Sequence, residues 1–438
     1  MSEHTPPDSD AAARPDGTAL GAPPTGRRGL VRLVPLLGAG NLAVYAFYIG
    51  ISGVLLPLHI QGLHPGDEEA AVANLGIVTG VAAVFGTLFN PIGGALSDRT
   101  RTRWGRRNPW MVGGALAALL AAVVLGLADS VLMVLLGWCL AQATMNLCHA
   151  ALTGILPDRV PDHRRGTVAS VMGMALSVAG VLGTGLAALF TERIELGYIA
   201  LGGVAVAAVV LLCAFTHDPR GDELPPPPPP PAERVAPLVA LGRFLSALTH
   251  RNFALVLIGR ALLFLGYFLI IGYQLYIFDY YIELPDSISP AAAVPIVTAL
   301  GAVGTVVTAA IGGPLSDRLD RRKLFTLVSG VASALAMLIP YYAPTWTGMI
   351  VFGLALGGAF GCFLAVDTAL ATLVLPNHEN YARDMGLLNI AAAGPQIMAP
   401  FIASMIILHV GGYSSLFLVG AGVGLLGALS IAFVKGVR

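Results

Sequence analysis

Long apolar segments separated by short polar ones follow one another from residue 34 to the end of the chain. A helix that crosses a bilayer requires ~20 apolar residues, and twelve segments meet or approach that length. They are residues 34–58, 72–96, 110–128, 131–155, 167–190, 197–215, 252–278, 289–315, 324–343, 346–374, 385–408 and 413–434. The pattern therefore predicts an all-α integral membrane protein with twelve transmembrane helices.

The overall composition agrees with a chain that has lipid as its solvent. Of the 438 residues, 56% are hydrophobic and 11% are charged, whereas soluble domains carry about 25% charged residues. The formal net charge is zero, which gives no reason to expect a nucleic-acid partner. The four cysteines lie inside apolar runs without metal-ligand spacing, so we interpret them as packing residues and predict no metal site.

The positive charges are distributed unevenly between the two sides of the predicted membrane protein. With the N-terminus inside, nearly all lysines and arginines fall in the termini and in alternate loops, and the exceptions are Arg193 and Arg260. Such a bias orients membrane proteins with their basic loops in the cytoplasm. It predicts that both termini are cytoplasmic and that the protein is a multi-pass protein of the cell membrane.

Two polar stretches divide the chain. Residues 1–33 are rich in Pro, Ala, Gly and Asp and predict a disordered cytoplasmic tail. Residues 217–251 contain seven consecutive prolines, Pro225 to Pro231, which form a stiff rod of ~22 Å. We interpret this stretch as a cytoplasmic linker between an N-terminal six-helix bundle, 34–216, and a C-terminal one, 252–438; the alternative is a docking site for a proline-binding partner.

One loop motif occurs twice. Residues 93–99 read GGALSDR and residues 312–318 read GGPLSDR, a shift of 219 (312 − 93). The same shift carries Leu156-Pro157 onto Leu375-Pro376. Agreement of two unrelated motifs on one offset predicts two structural repeats in the same orientation, which is the plan of a transporter with its binding site between the halves.

The repeated motif has the chemistry of a gate. Its glycines permit close helix packing, its Asp places a negative charge at the membrane surface, and its arginines offer forked donors. The Asp is also suited to the positive N-terminal end of a helix from the other half, a contact that would form in one conformation and break in the other. The alternative is that these charges only set orientation. The predicted gate residues are Gly94, Asp98, Arg99, Arg103, Gly313, Asp317, Arg318 and Arg322.

The duplicated motif resembles the loop signature of the major facilitator superfamily. Its longer first-half form, SDRTRTRWGRRNPW, is similar to the loop of the glycoside–pentoside–hexuronide:cation symporters and of plant-type sucrose/proton symporters. The resemblance implies two six-helix bundles that rock to give alternating access. It also implies that Asp98 latches against the start of the eleventh helix near Arg383, and Asp317 against the start of the fifth near Arg165.

Ionisable residues inside a predicted span are functional candidates because they are costly in lipid. Asp367 lies nine residues before Pro376 and Arg260 nine residues after Arg251, so each is ~13 Å from a helix end and close to the middle of a core that is ~30 Å thick. At equal depth the two side chains are able to pair. The repeat places Asn41 opposite Arg260, and His149 lies one turn from Asn146 in the fourth helix.

Further polar and aromatic residues complete a predicted belt around a central cavity. Tyr45 and Tyr267 are candidates for stacking on a sugar ring, and Gln274, Asn389 and Gln396 are candidates for hydrogen bonds to hydroxyls. The structural alternatives are a register-setting salt bridge for the charged pair, a satisfied core histidine, interhelical hydrogen bonds for the amides and plain packing for the tyrosines.

Asp367 is the candidate for energy coupling. Lipid favours a neutral carboxyl group, whereas a nearby Arg260 favours the charged one, and opening or closing of the cavity would change that balance. The sodium-coupled proteins that the loop resembles use acidic residues in their first-half helices. The apolar cores of the first four predicted helices contain no Asp or Glu, so we predict coupling to protons.

The sequence favours a proton-coupled importer of a sugar or glycoside that acts as a monomer on a small-molecule substrate in the bilayer. The alternative is a proton-driven exporter of a drug-like or other small organic compound, and a third hypothesis is a membrane receptor without transport. The sequence contains no ATPase-type phosphate-binding loop. We therefore predict no enzyme activity and no cofactor, with the proton gradient as the energy source.

Overall fold

The computed structural model describes residues 27–220, 246–374 and 381–436, and within them the side chains of residues 27, 28, 247 and 381–383 are not described. Twelve long helices account for most of these residues. They are α1 Arg27–Gly50 (continued by a π-helical turn, Ile51–Leu55, and by Leu56–Leu63), α2 Glu68–Arg99, α3 Asn108–Gly126, α4 Val131–Thr153, α5 Asp162–Ala188, α6 Ile194–Phe215, α7 Arg251–Ile271, α8 Pro290–Leu319, α9 Arg322–Met337, α10 Trp346–Leu373, α11 Tyr381–Ile406 and α12 Gly412–Ala432.

Eleven continuous helical stretches in the described residues are long and apolar enough to cross a membrane, and the last contains two spans. This stretch, Asp384–Ala432, has 49 residues, or ~74 Å if straight, more than twice the thickness of a bilayer core. The chain reverses at Gly412, whose φ of 70° is costly for other residues. The predicted all-α fold of twelve membrane helices is therefore confirmed.

Several predicted boundaries differ from the structure. Helix α1 begins at Arg27, so residues 27–33 of the predicted tail are helical, while residues 1–26 lie outside the described part. Helix α7 ends at Ile271 rather than 278, and a separate short helix, Gln274–Tyr280, follows it. The proline run of the predicted linker lies in 221–245, also outside the described residues.

Small residues hold the helices of each half close together. A Cβ atom added to Gly183 in α5 would lie 2.5 Å from the carbonyl oxygen of Ala46 in α1, and one added to Gly50 would lie 2.5 Å from the carbonyl oxygen of Gly183. In the second half, a Cβ at Gly361 of α10 would lie 2.5 Å from the carbonyl oxygen of Thr305 in α8. Backbone contact of this kind is the main source of helix association in lipid.

The two halves meet at one end of the molecule. We call the end with the basic loops 99–107 and 318–323 the basic end, and the opposite end the distal end. In the distal half of the bundle α2 lies against α11, where a Cβ at Gly76 would be 2.9 Å from the carbonyl oxygen of Pro400. One turn further along α2, a Cβ at Gly80 would overlap the ring of Phe401.

Tyrosine hydroxyls fasten the halves together at the distal end. Tyr276 donates to the carbonyl oxygen of Pro57 at 2.9 Å and Tyr273 to that of Val72 at 3.0 Å. Both tyrosines are buried, so these bonds are shielded from water. We call these two bonds the distal latch. The described hydrogen bonds between the halves lie at this end, which makes the structure one that is closed distally.

Replacement of Gly183 by valine is expected to destabilise the first half, because its added carbons have no space beside Ala46. The midpoint of thermal unfolding in detergent, measured by size-exclusion chromatography of heated samples, should fall by roughly 5 °C or more. The matched control is Gly173→Val in the same helix, since no atom lies within 4 Å of a Cβ at Gly173. Equal midpoints for the two variants would contradict this account of α1–α5 packing.

Candidate functional site

Helices α7 and α10 bring a positive and a negative side chain together inside the membrane. A terminal nitrogen of Arg260 forms an ion pair with Oδ2 of Asp367, whose side chain is 1% exposed, whereas that of Arg260 is 13% exposed. Among the described residues, Nε of Arg260 and Oδ1 of Asp367 have no hydrogen-bond partner. The desolvation cost of a buried ion pair is poorly compensated when some of its donors and acceptors have no partner. The two side chains are therefore suited to a change of hydrogen-bond partners.

Aromatic rings surround the ion pair on the second half. The guanidinium carbon of Arg260 lies 5.4 Å from the ring centre of Phe264, a cation–π distance. Tyr267 stacks on Phe360 with ring centres 4.2 Å apart and planes 5° apart. Phe363 packs near Phe360 at 6.0 Å. We call Phe264, Tyr267, Phe360 and Phe363 the aromatic wall.

In the first half, a histidine and two tyrosines lie where the second half has the aromatic wall. The ring of His149 in α4 lies 4.9 Å from that of Tyr45 and 6.3 Å from that of Tyr48 in α1. Nε2 of His149 and the hydroxyl of Tyr48 are buried without a hydrogen-bond partner in the described structure. The shift of 219 maps Tyr45 onto Phe264 and Tyr48 onto Tyr267, so the two groups correspond by repeat symmetry.

Three amide side chains form a cluster between α2 and α4. Asn90 Nδ2 donates to Asn146 Oδ1 at 3.3 Å, and Asn146 Nδ2 donates to Gln142 Oε1 at 3.3 Å and to its carbonyl oxygen at 2.9 Å. We call Asn90, Gln142 and Asn146 the amide cluster. Asn90 and Gln142 were not among the residues predicted from the sequence, although the spacing of four between Gln142 and Asn146 places those two on one helix face.

The polar residues of α11 lie on the face that meets the first half. Asn389 and Gln396 are exposed, and they share a helical stripe with Pro400 and Ser404, because the spacings 7, 4 and 4 keep all four within about 80° of one another. Pro400 and Ser404 contact Gly76 of α2. Asn389 and Gln396 therefore face the space between the halves toward the basic end.

Two of the predicted belt residues are not part of a central site. Asn41 is 1% exposed and donates to the carbonyl oxygen of Leu37, one turn back in its own helix, at 2.9 Å. Gln274 is buried in the short helix that follows α7, beyond the end of the span. The repeat places Asn41 opposite Arg260, but its amide satisfies the helix backbone.

The predicted gate has a different set of charge partners. Asp98 is bound by Arg106 at 2.5 Å and by Arg107 at 2.8 Å, while Arg99 and Arg103 are exposed. Arg106 and Arg107 therefore take the role that was predicted for Arg99 and Arg103. These bonds stay within the first half, and the implied contact with the start of α11 stays a prediction for the opposite conformation.

A buried ionic network fastens the first-half loop. Nε of Arg107 also binds Asp158 at 2.8 Å. Asp218, just after α6, accepts the backbone N–H groups of Arg107 and Asn108 at 2.6 and 2.9 Å, and pairs with Arg159 at 2.5 Å. The carboxylate thus satisfies free donors at the start of α3. Asp218, which lies in the predicted linker, is a structural part of the first bundle.

The second-half gate is simpler. Asp317 accepts from Nη2 of Arg322 at 2.8 Å, and its side chain is 59% exposed; Arg318 is exposed. The shift of 219 places Phe325 and Thr326 where the first half has Arg106 and Arg107. The second repeat therefore lacks the residues of the buried network.

Close packing was predicted for both glycines of each motif, and the second was included in the predicted gate, but the first makes the close contact. A Cβ at Gly93 would lie 2.8 Å from Cα of Leu147, and one at Gly312 would lie 2.8 Å from Sγ of Cys362. At Gly94 nothing lies within 4 Å, and at Gly313 the nearest atom is 3.8 Å away. The choice between adjacent glycines depends on helix rotation, which the motif alone does not fix.

The two residues implied as latch partners remain with their own half or outside the described part. Arg165 pairs with Asp162 at 2.8 Å and donates to the carbonyl oxygen of Pro157 at 2.9 Å. The side chain of Arg383 lies outside the described residues. No group of three or more His, Cys, Asp or Glu side chains suited to a metal ion occurs in the described residues.

Loss of the distal latch is expected to favour opening at that end. In the Tyr273→Phe/Tyr276→Phe double variant, both bonds of the distal latch are absent while the packing of the rings is kept. Spin labels are attached at the exposed positions Glu69→Cys and Asp286→Cys after the four native cysteines are replaced. Double electron–electron resonance should then report a longer distance between the two labels. Tyr342→Phe, at a residue that is 78% exposed, is the control. An unchanged distance distribution would show that these bonds do not hold the halves closed.

Removal of Asp218 is expected to weaken the first half much more than removal of Asp317 weakens the second. Asp218→Ala leaves Arg159 buried and uncompensated, a loss of about 3 kcal/mol or more, whereas exposed pairs such as Asp317–Arg322 contribute about 1 kcal/mol or less. The midpoints of thermal unfolding of the two alanine variants provide the test. A larger drop for Asp317→Ala would refute the ranking.

Comparison with known proteins agrees with this architecture. The Major Facilitator Superfamily sequence profile matches residues 38–284 and 284–437. The uncharacterized symporter sll1374 of Synechocystis sp. is 30% identical over 220 residues, 45% of this chain and 40% of the relative. The lactose permease of Lactobacillus helveticus is 28% identical over 207 residues, 40% of this chain and 31% of the relative. The chain thus matches less than half the length of either relative.

A solved structure extends the similarity of fold to nearly the whole molecule. A mutant form of the nucleoside transporter NupG superimposes with a TM-score of 0.71 over 92% of this chain and 100% of that one, at 13% sequence identity. At this identity the similarity concerns the fold alone. With the sequence profile covering both repeats, we conclude that the chain belongs to the Major Facilitator Superfamily.

Proposed function

We propose that this protein is a secondary active transporter that moves a sugar or glycoside by proton-coupled alternating access. The Arg260–Asp367 pair is the observation on which the coupling rests. Its carboxylate is almost wholly buried in the second half and has one oxygen without a hydrogen-bond partner among the described residues. A carboxyl group in such a place is a functional candidate because it gains or loses charge with its surroundings.

The proposed coupling step is an exchange of partners at Asp367. When Oδ2 takes up a proton, the carboxyl becomes neutral and its attraction for Arg260 falls. The guanidinium group, whose Nε already has no acceptor in the described structure, is then free to donate to a substrate oxygen. Loss of the proton restores the ion pair and releases the substrate. Proton and substrate are thereby linked through one arginine.

The closed distal end supports a conformational assignment. The basic end carries the predicted cytoplasmic loops, so under the positive-inside rule we propose that the closed end lies outside and that this is an inward-facing state of a protein of the cell membrane. We propose that the Asp98 contact near Arg383 and the Asp317 contact near Arg165 form in the outward-facing state. Each motif aspartate is more than half exposed here, as a gate that is not engaged would be.

Three observations favour a sugar or glycoside as the substrate. The lactose permease that the chain resembles in part is named for a disaccharide. The amide cluster and Gln396 offer uncharged donors and acceptors that suit hydroxyl groups. The extended loop SDRTRTRWGRRNPW supports placement in the glycoside–pentoside–hexuronide:cation symporter or sucrose/proton symporter branch. We propose that the monomer is the functional unit.

The aromatic wall favours a second candidate function. Rings that surround a buried ion pair also suit a flat apolar compound, as in a proton-driven exporter of drug-like molecules. The two functions differ in the direction of transport and in substrate polarity. Uptake and efflux measured on the same proteoliposomes, with sugars and with aromatic dyes, separate them.

Asp367→Asn is expected to abolish uphill accumulation of sugar in proteoliposomes with an imposed inward proton gradient, because the amide cannot exchange a proton. Counterflow, which requires only alternation of the loaded carrier, should persist in part. Asp286→Asn, at an exposed position between α7 and α8, is the control. Gradient-dependent accumulation at the wild-type level in Asp367→Asn would contradict proton coupling through this residue.

A further inference from the structure

We infer that the amide cluster and Gln396 together form a hydroxyl-binding subsite between the halves, which binds the part of the substrate that does not contact Arg260. This inference deepens the proposed function and rests on it. It assigns sugar recognition to neutral amides of α2, α4 and α11, and leaves Arg260 and Asp367 of α7 and α10 for coupling.

Three of the four amides, Gln142, Asn146 and Gln396, lie at a common depth below one contact. Gly80 of α2 touches Phe401 of α11. Gly86 follows Gly80 by six residues, or ~9 Å toward the basic end, and a Cβ at Gly86 would lie 3.1 Å from both Asn146 Nδ2 and Gln142 Oε1. Gln396 precedes Phe401 by five residues, or ~8 Å in the same direction because the helices are antiparallel. Gln396 therefore lies level with the amides of α4.

The face of α2 that carries Asn90 also points between the halves. Gly76, Gly80, Thr87 and Asn90 lie within about 80° on the helix surface, and the two glycines contact the second half at the distal end. The opposite face bears exposed apolar side chains, including Leu88 at 55%, as expected for contact with lipid. Asn90 therefore opens toward the same space as Gln396.

The opposite face of α11 is likewise apolar. Met398 and Met405 are 57% and 58% exposed, and at 100° per residue they lie about 160–180° from Gln396. The exposed amide of Gln396 thus faces away from the lipid side of its helix. An amide there gains hydrogen bonds only from the inter-half space.

The absence of a side chain at Gly86 lets the backbone of α2 lie directly against the amides of α4. The α2 backbone approaches Gln142 and Asn146 with nothing larger than hydrogen between them. Within the cluster each amide uses only part of its hydrogen-bond capacity, since each has two N–H donors and an oxygen with two lone pairs. Paired donors and acceptors without charge match adjacent hydroxyl groups of a neutral sugar, and a site of this kind rejects analogues that lack a hydroxyl.

The test uses counterflow in proteoliposomes, which does not require the proton gradient. Wild-type protein is assayed with radiolabelled lactose, sucrose and xylose, and then with monodeoxy analogues of the sugar that exchanges. Gln142→Leu and Gln396→Leu are expected to raise the half-saturating concentration of that sugar at least tenfold. They should also reduce the preference for the parent sugar over a deoxy analogue, an effect that a general loss of folding does not produce.

Two further variants keep the result decisive. Gly86→Ala retains every amide but fills the gap beside Gln142, and it should weaken sugar binding in a protein that elutes as wild type does. Asn74→Leu removes an amide of α2 that is bonded to His64 near the distal end, and it should leave the half-saturating concentration unchanged. If sugar affinity and deoxy discrimination stay at wild-type values in Gln142→Leu and Gln396→Leu, the subsite is wrong while the proposed transport stands. Failure of the wild type to exchange any sugar overturns both.

Discussion

Close backbone contact between small residues is the constraint on which this structure depends. In lipid, helices gain nothing by hiding apolar side chains from water, so van der Waals contact at short range must hold them together. The α1–α5 contact at Gly50 and Gly183 and the α8–α10 contact at Gly361 satisfy this within each half. The contacts of Gly76 and Gly80 with α11 satisfy it between the halves, but only in the distal part of the bundle. Each half is therefore a rigid unit, and motion is left to the surface between them.

The two repeats share a fold but have diverged in where they hold charge. The first half concentrates its ionic bonds at the basic end, where Asp218 and Asp158 anchor Arg159 and Arg107, and lines its interior with neutral groups. The described part of the second half has an exposed pair at its gate and a buried ion pair within the membrane-spanning helices. This division separates a half with a firmly anchored loop from a half that holds the ion pair to which we assign coupling in the proposed function.

Much of the fold could be predicted from the sequence, because membrane spans leave a strong signal of length and composition. The helix count, the two repeats and the depth of Asp367 and Arg260 depend only on spacing along the chain. Rotation of a helix about its axis does not, and the predictions that depend on it were the least accurate. The predicted gate included Gly94 where Gly93 makes the contact, and the predicted cavity included Asn41 although its amide bonds to its own helix.

Long-range partners were equally hidden from sequence reasoning. Asp218 belongs to the first bundle because of contacts with residues 59 to 111 positions away, which no local pattern shows. Asn90 joins Asn146 across two helices for the same reason. Residue type and depth were available from the sequence, whereas the choice among several arginines or amides required the packing.

The two repeats contribute different chemical groups to the hydrogen bonds of the distal latch. The second half supplies tyrosine hydroxyls, while the first supplies the backbone carbonyls of Pro57 and Val72. A carbonyl is present whatever side chain occupies its position. The first half can thus change its sequence at these two sites during evolution without losing the acceptors, as long as the helix backbone keeps its course. The second half has no such freedom, since the hydroxyl is lost with the tyrosine. Substitutions should therefore accumulate at the first-half positions of the distal latch and not at its two tyrosines in the second half.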